Sequence, residues 1–228
     1  MSLATAATTS ATPVIPATAT PTRIHDLLEI DANRFLQAQP SAPGWVAASL
    51  RETPFVVVRR GPISTQQGIA VGVRGAQRNQ RWASACHPHL ARRILTPPIL
   101  LSRLVTPART DAIPALHTLA LLADRWNALN SAWGPGGSVG FELATGHPVA
   151  TPQSDLDIVI YAETRMTHDE ARVLWETAQG LPAAVDIRVE TPTCGFSLTE
   201  YANRAPAPIL LRFVSGTALG TDPWAGAT

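Results

Sequence analysis

Residues 154–160 read Ser-Asp-Leu-Asp-Ile-Val-Ile, two acids one residue apart at the head of an apolar run. In a strand, residues i and i+2 share a face, ~6.6 Å apart at ~3.3 Å per residue. Asp155 and Asp157 then stand together on one face, and Leu156, Ile158 and Ile160 cover the other. Two carboxylates so placed repel each other unless a cation lies between them. Mg2+ is the usual cation where carboxylates meet a substrate phosphate. Ahead of the pair lies a glycine cluster, residues 134–137, followed by Ser138. Its backbone N–H groups can approach a phosphate closely. Together these residues point to metal-dependent phosphate transfer. A solvated strand face, a helix cap and a plain glycine turn remain open as alternatives. A calcium loop is excluded, because Ile158, Val159 and Ile160 follow where oxygen ligands and a glycine are required. A dinucleotide fingerprint is excluded as well, because its third glycine falls on Val139.

Composition narrows the chemistry further. All 18 Lys-or-Arg residues are arginine. Without lysine there is no Walker A loop and no Schiff-base chemistry. Arginine suits planar, bidentate grips on phosphate and carboxylate. Net charge is +1, but it is divided. Residues 23–109 hold 12 arginines and four acids, net +8; residues 111–228 hold six arginines and 13 acids, net −7. A basic half can receive a polyphosphate or an acidic protein, and a carboxylate-rich half can hold metal. The two halves can also simply attract each other. Near-zero net charge, with only Trp82 among aromatics near Arg74, Arg78 and Arg81, argues against nucleic-acid binding. No apolar run is long enough to span a membrane, and no secretory signal is visible. Cys86 and Cys194 form no CxxC, so a reduced, cytoplasmic setting is the simplest expectation, with one disulfide left open. Cys86-His87-Pro88-His89 offers soft ligands without a second pair to complete a zinc site.

Along the chain, residues 1–22 are a low-complexity Ala/Thr/Pro/Ser extension, expected to be disordered. Residues 45–50 read as a short helix. The runs 55–59 and 68–74 read as strands, an early antiparallel pair. Prolines at 97, 98 and 107 bracket a link between a basic N-terminal domain, 23–97, and a second domain, 98–228. Residues 113–129 carry apolar residues at helical spacing. Strands are expected at 138–143, 154–161, 185–190 and 209–214, and a helix at 167–179 with Thr167 as N-cap. In Val-Asp-Ile-Arg-Val-Glu at 185–190, Asp186, Arg188 and Glu190 share the polar face. The fold class is mixed α+β.

A Gly-Ser pair (Gly137-Ser138), a strand carrying Asp-x-Asp (Asp155, Asp157) and a third acid on a later strand (Asp186) resemble the polymerase-β-like nucleotidyltransferase superfamily. The 16 residues between Ser138 and Asp155 exceed that superfamily's usual gap, and a hairpin at 146–152 is expected to absorb them. A narrower likeness rests on IAVGVRG (69–75), GPGGSVGFELATG (134–146), SDLDIVI (154–160), VDIRVETP (185–192) and DPW (222–224). These blocks resemble the holo-acyl-carrier-protein synthase of malonate decarboxylase, also called phosphoribosyl-dephospho-CoA transferase. The resemblance implies a small basic N-terminal domain followed by a nucleotidyltransferase domain with a mixed sheet. It implies transfer from 2′-(5″-triphosphoribosyl)-3′-dephospho-CoA to a serine of the apo acyl-carrier subunit of malonate decarboxylase, releasing diphosphate. By that resemblance Asp155, Asp157 and Asp186 are catalytic and hold Mg2+ or Mn2+, and Gly137 and Ser138 hold the leaving diphosphate. Arg74, Arg78 and Arg81 are candidates for the remaining phosphates or for acids on the carrier. The competing expectations are another nucleotidyltransferase, with a nucleoside triphosphate donor or the citrate lyase carrier, and a non-catalytic anion-binding module.

Overall fold

Short β-branched runs separated by turns give the first third of the chain an antiparallel sheet. The computed structural model describes residues 21–61, 68–77, 79–103, 107–204 and 206–225. Five strands, β1 (Leu27–Ile30), β2 (Phe55–Val58), β3 (Ile69–Arg74), β4 (Arg81–Cys86) and β5 (Ala91–Leu95), pair in the order β4-β3-β2-β1-β5. Helices α1 (Ala32–Gln37) and α2 (Gly44–Glu52) cross over between β1 and β2. Strand alternation sorts the side chains. Leu28, Ile30, Val56, Val58 and Val71 face Phe35, Val46 and Leu50 of the two helices. Leu27, Phe55 and Leu95 face the other way and join the core of the C-terminal half.

That half carries a six-stranded sheet, ordered β11-β10-β9-β8-β7-β6. Its strands are β6 (Ala132–Pro135), β7 (Leu156–Tyr161), β8 (Val185–Glu190), β9 (Gly195–Ser197), β10 (Ile209–Phe213) and β11 (Gly216–Gly220). Only β7 and β8 run parallel. A parallel pair needs a crossover, and helix α7 (His168–Thr177) supplies it. Thr167 caps that helix, in a full capping box with Glu170. With α3 (Pro97–Leu100), α4 (Pro107–Ala112), α5 (Pro114–Arg125), α6 (Gly137–Thr145) and α8 (Leu198–Arg204), the fold is mixed α+β as expected. One sheet face carries Leu156, Ile158, Ile160, Ile187 and Val189, buried against Leu116, Leu119 and Leu122 of α5, Leu174 of α7 and Tyr201 of α8. The opposite face is polar and holds the candidate site.

Two expectations are corrected. Residues 138–143 are not a strand but the middle of α6. Val139, Phe141 and Leu143 alternate in sequence, which mimics a strand. The burial is helical instead: Val139 and Leu143, four apart, are buried and Phe141 only partly so. Gly146, at φ +73°, closes the helix with the left-handed cap that glycine favours. Nor do residues 146–152 form a hairpin; they are an irregular loop tied to α6. The link between the halves includes α3, which Thr96 caps through its side chain. Cys86 and Cys194 are both buried and unbridged. Among the described residues, no helix is long and apolar enough to cross a membrane. The expectation for residues 1–20 lies outside the described residues.

Candidate active site

Parallel pairing of β7 and β8 sets Asp157 directly opposite Asp186. Neighbouring strands lie ~4.8 Å apart, so the two carboxylates share one small patch of the polar face. Asp155 stands one residue ahead of β7. Burial pushes the Asp157 carboxyl above the usual range, and the charges of Asp155 and Asp186 push it further; Arg188 and His25 offset this only in part. A group of like charges gathered in a partly dry place is set up to accept cations. One Asp186 oxygen accepts from Arg188 at 2.9 Å.

The N-terminus of α6 closes on this patch. The Gly136 N–H donates to the Asp157 carbonyl at 2.9 Å. Gly137 turns at φ +54°, and a Cβ there would overlap the Asp157 carboxylate. Glycine is therefore required twice over, for its dihedral and for its missing side chain. Ser138 is buried in the first helical turn. The orphan N–H groups of this nine-residue helix favour negative charge beside them.

Glu142, whose role was not legible from spacing, is 4% exposed and accepts both a fork from Arg109 (2.8 and 2.9 Å) and the N–H groups of Val149 (2.9 Å) and Ala150 (2.8 Å). Burial pushes its carboxyl up, but Arg109 and the two amides outweigh that and hold it below the usual range. This anchor shapes the long connection between Ser138 and Asp155.

A wall of the site comes from the other sheet. The turn at residues 23–26 docks on β7, where Tyr161 donates to the Ile24 carbonyl at 2.8 Å. His25 Nε2 lies 3.0 Å from Glu190, and Arg60 pairs with the other Glu190 oxygen. Gly195 makes room for this knot, since a Cβ there would meet Arg60 at 2.5 Å and Glu190 at 2.8 Å. No pattern in the sequence marks His25 or Arg60, and Glu190 reads only as part of the polar face of its strand. The one signal was that Glu190 falls four residues after Asp186, on the same strand face.

The predicted arginines stand elsewhere. Arg74 and Arg81 pair across β3 and β4. Arg74 is five residues along β3 from Ile69, or ~17 Å at ~3.3 Å per residue, and Ile69 lies at the Arg60 end of the sheet. Arg78 lies outside the described residues. The structure thus brings Asp155, Asp157, Asp186, Gly137 and Ser138 together and keeps Arg74 and Arg81 apart from them. Among the described residues, no three His, Cys, Asp or Glu side chains form a ready-made metal cage.

Two family models match the chain: the phosphoribosyl-dephospho-CoA transferase MdcG N-terminal domain over residues 23–97 and the corresponding C-terminal domain over residues 103–223. The chain belongs to the phosphoribosyl-dephospho-CoA transferase family. A phosphoribosyl-dephospho-CoA transferase of Pseudomonas aeruginosa is 38% identical over 200 residues, covering 88% of this chain and 92% of that one. One from Azotobacter vinelandii is 37% identical, covering 88% and 93%; one from Klebsiella pneumoniae strain 342 is 35% identical, covering 89% and 96%. No solved structure matches. The transferase family models meet the chain on both sides of residues 98–102, so the turn carrying His25 and the strands carrying the aspartates both lie within them.

Proposed function

We propose that this transferase moves phosphoribosyl-dephospho-CoA from 2′-(5″-triphosphoribosyl)-3′-dephospho-CoA to a serine hydroxyl on the acyl-carrier subunit of malonate decarboxylase. The observation that carries this reading is the meeting of Asp155, Asp157 and Asp186 beside Gly137 in a chain of this family. The serine oxygen attacks the α-phosphorus and gives up its proton. The bond from that phosphorus to the bridging oxygen breaks, and diphosphate leaves with the electron pair. Such transfers depend mostly on positioning and charge neutralisation.

The donor set fits Mg2+ or Mn2+. Carboxylate oxygens are hard ligands, and Mg2+ commonly takes only one or two of them, filling its shell with water and substrate phosphate, so a three-residue cage is not required. Asp155 and Asp157 would hold the ion, with Asp186 as the third carboxylate. A metal bound there would neutralise charge on the reacting phosphate and on the leaving oxygen. The chain's own groups do the rest. The α6 amides from Gly137 and Ser138 receive the leaving diphosphate, and the missing side chain of Gly137 lets the helix begin directly against the Asp157 carboxylate. Arg188 orients Asp186. Arg74, Arg78 and Arg81 are assigned to acidic groups of the carrier rather than to the reacting phosphates, because the register of β3 takes Arg74 away from the aspartates.

The purified protein, incubated with the triphosphoribosyl donor, Mg2+ and the apo carrier, is expected to add the prosthetic group to the carrier, read as an intact mass shift. Asp155→Ala and Asp157→Ala are expected to abolish loading while leaving the melting temperature near that of the parent. Loading that persists in either variant removes the carboxylates from the mechanism. A mass shift only with a nucleoside triphosphate, or only with the citrate lyase carrier, reassigns donor or acceptor.

A further inference from the structure

Among the described residues, His25 is the one non-glycine residue with positive φ, at +76°. A histidine held there is strained, and such strain survives only where surrounding contacts fix it. Five contacts do so. The His25 N–H donates to the Val58 carbonyl at 2.8 Å. Asp26 closes the turn on Arg23, accepting its N–H at 2.7 Å. Tyr161 grips the Ile24 carbonyl from β7. Arg23 sits over the Tyr161 ring at 5.1 Å and reaches Glu163 at 3.4 Å. Simple docking of two sheets does not need a strained histidine at their junction; a glycine or asparagine in this turn would close it with less strain.

What the strained backbone accomplishes is to place the imidazole. Nε2 meets Glu190 at 3.0 Å, and Arg60 holds that carboxylate from its other side. Nδ1 has no partner among the described residues, and the side chain is 31% exposed while Glu190 is 10% exposed. A carboxylate that fixes one ring nitrogen fixes the tautomer, leaving the other nitrogen free to take a proton. His25 docks at the Tyr161–Glu190 end of the β7–β8 pair, four residues along the same face from Asp157 and Asp186, and its charge acts on the Asp157 carboxyl. Asp186, the other candidate acceptor, already accepts from Arg188.

We infer that His25, carried in by the N-terminal sheet and set by Glu190, is the catalytic base that takes the proton from the attacking serine. This deepens the function proposed above and rests on it. The serine O–H proton passes to Nδ1, the oxygen's electron pair forms the new bond to the α-phosphorus, and the bond to diphosphate breaks. The charged and titratable groups around the imidazole are Glu190 from β8, Arg60 after β2, Asp26 and Arg23 in its own turn and Tyr161 from β7, with Asp157 and Arg188 further along the same face.

The test is His25→Gly, which relaxes the backbone at positive φ and leaves a space the size of an imidazole. Carrier loading by this variant is expected to fall at least ~100-fold. Free imidazole should restore part of the loss, and the acidic limb of the parent's pH profile should vanish. His25→Asn, which tolerates the same backbone, should stay slow and folded. Loading by His25→Gly within threefold of the parent overturns the inference. So does a loss that imidazole leaves untouched while His25→Asn keeps the parent's pH profile, which makes His25 a latch between sheets. A parent protein that loads no carrier fails the proposed function instead, and is recognised before any variant is compared.

Discussion

Gly137 was marked in the sequence because its chemistry is local: glycines ahead of an Asp-x-Asp run announce a close approach, expected there to be of a phosphate. What it passes is the Asp157 carboxylate itself. Asp26 was not legible in the same way, because a single acid carries no sign of its burial. It is 1% exposed, and one of its oxygens has no partner. Burial pushes its carboxyl up to about 6, against the lowering pull of the Arg23 N–H and of the Arg23 and His25 charges. The folded chain therefore keeps this proton where the unfolded chain releases it. The stability this contributes is full below about pH 3.8 and is lost as pH rises through about 6. Asp26→Asn keeps an oxygen for the Arg23 N–H and removes the charge. Its unfolding free energy relative to the parent is expected to climb from pH 4 to pH 7 and then level off, by on the order of 2–3 kcal/mol at ~1.4 kcal/mol per pH unit. A difference that is flat across that range would mean that Asp26 ionises normally in the folded protein.

At the scale of elements, β7, β8, α5 and α7 could be read directly, since each has a clean period and its own end signals. Helix α6 could not. Its six central residues alternate like a strand, and only tertiary packing selects the helix. The element that makes this helix useful is the loop after it. Residues 147–155 have little apolar content to bury, so polar anchoring has to hold them, and Glu142 provides it by gathering Arg109 and the Val149 and Ala150 N–H groups. Glu142→Ala would leave a cation, a buried donor and a partly buried one without their acceptor. Breaking a buried pair from one side costs about 3–5 kcal/mol. The expected result is a chemical-denaturation midpoint lowered to match. Donor affinity should weaken as well, because the loop delivers Asp155 to the site. An unchanged midpoint would show that the loop is held by other contacts.

At the scale of the molecule, the charge split of the sequence left a meeting of the two halves as one open reading and gave no sign of where it would be. They meet through two kinds of contact. The polar one is the Arg23, His25 and Arg60 knot on Glu163, Tyr161 and Glu190. The apolar one is invisible in charge: Leu27, Phe55 and Leu95 of the first sheet are buried in the core of the second. Each fully buried side chain of this kind contributes about 1.5–3 kcal/mol. Three of them give roughly 5–9 kcal/mol, similar to the whole stability of a typical domain, about 5–15 kcal/mol. Neither sheet can then lose its partner and remain well folded. Heating is expected to give one calorimetric transition, with van't Hoff and calorimetric enthalpies in agreement. A fragment of residues 98–228 should bind a hydrophobic dye and load no carrier, since it lacks both the apolar cover and His25. Two resolved transitions, or a fragment that folds and loads carrier, would mean that the N-terminal sheet is an appendage and that the site is complete without it.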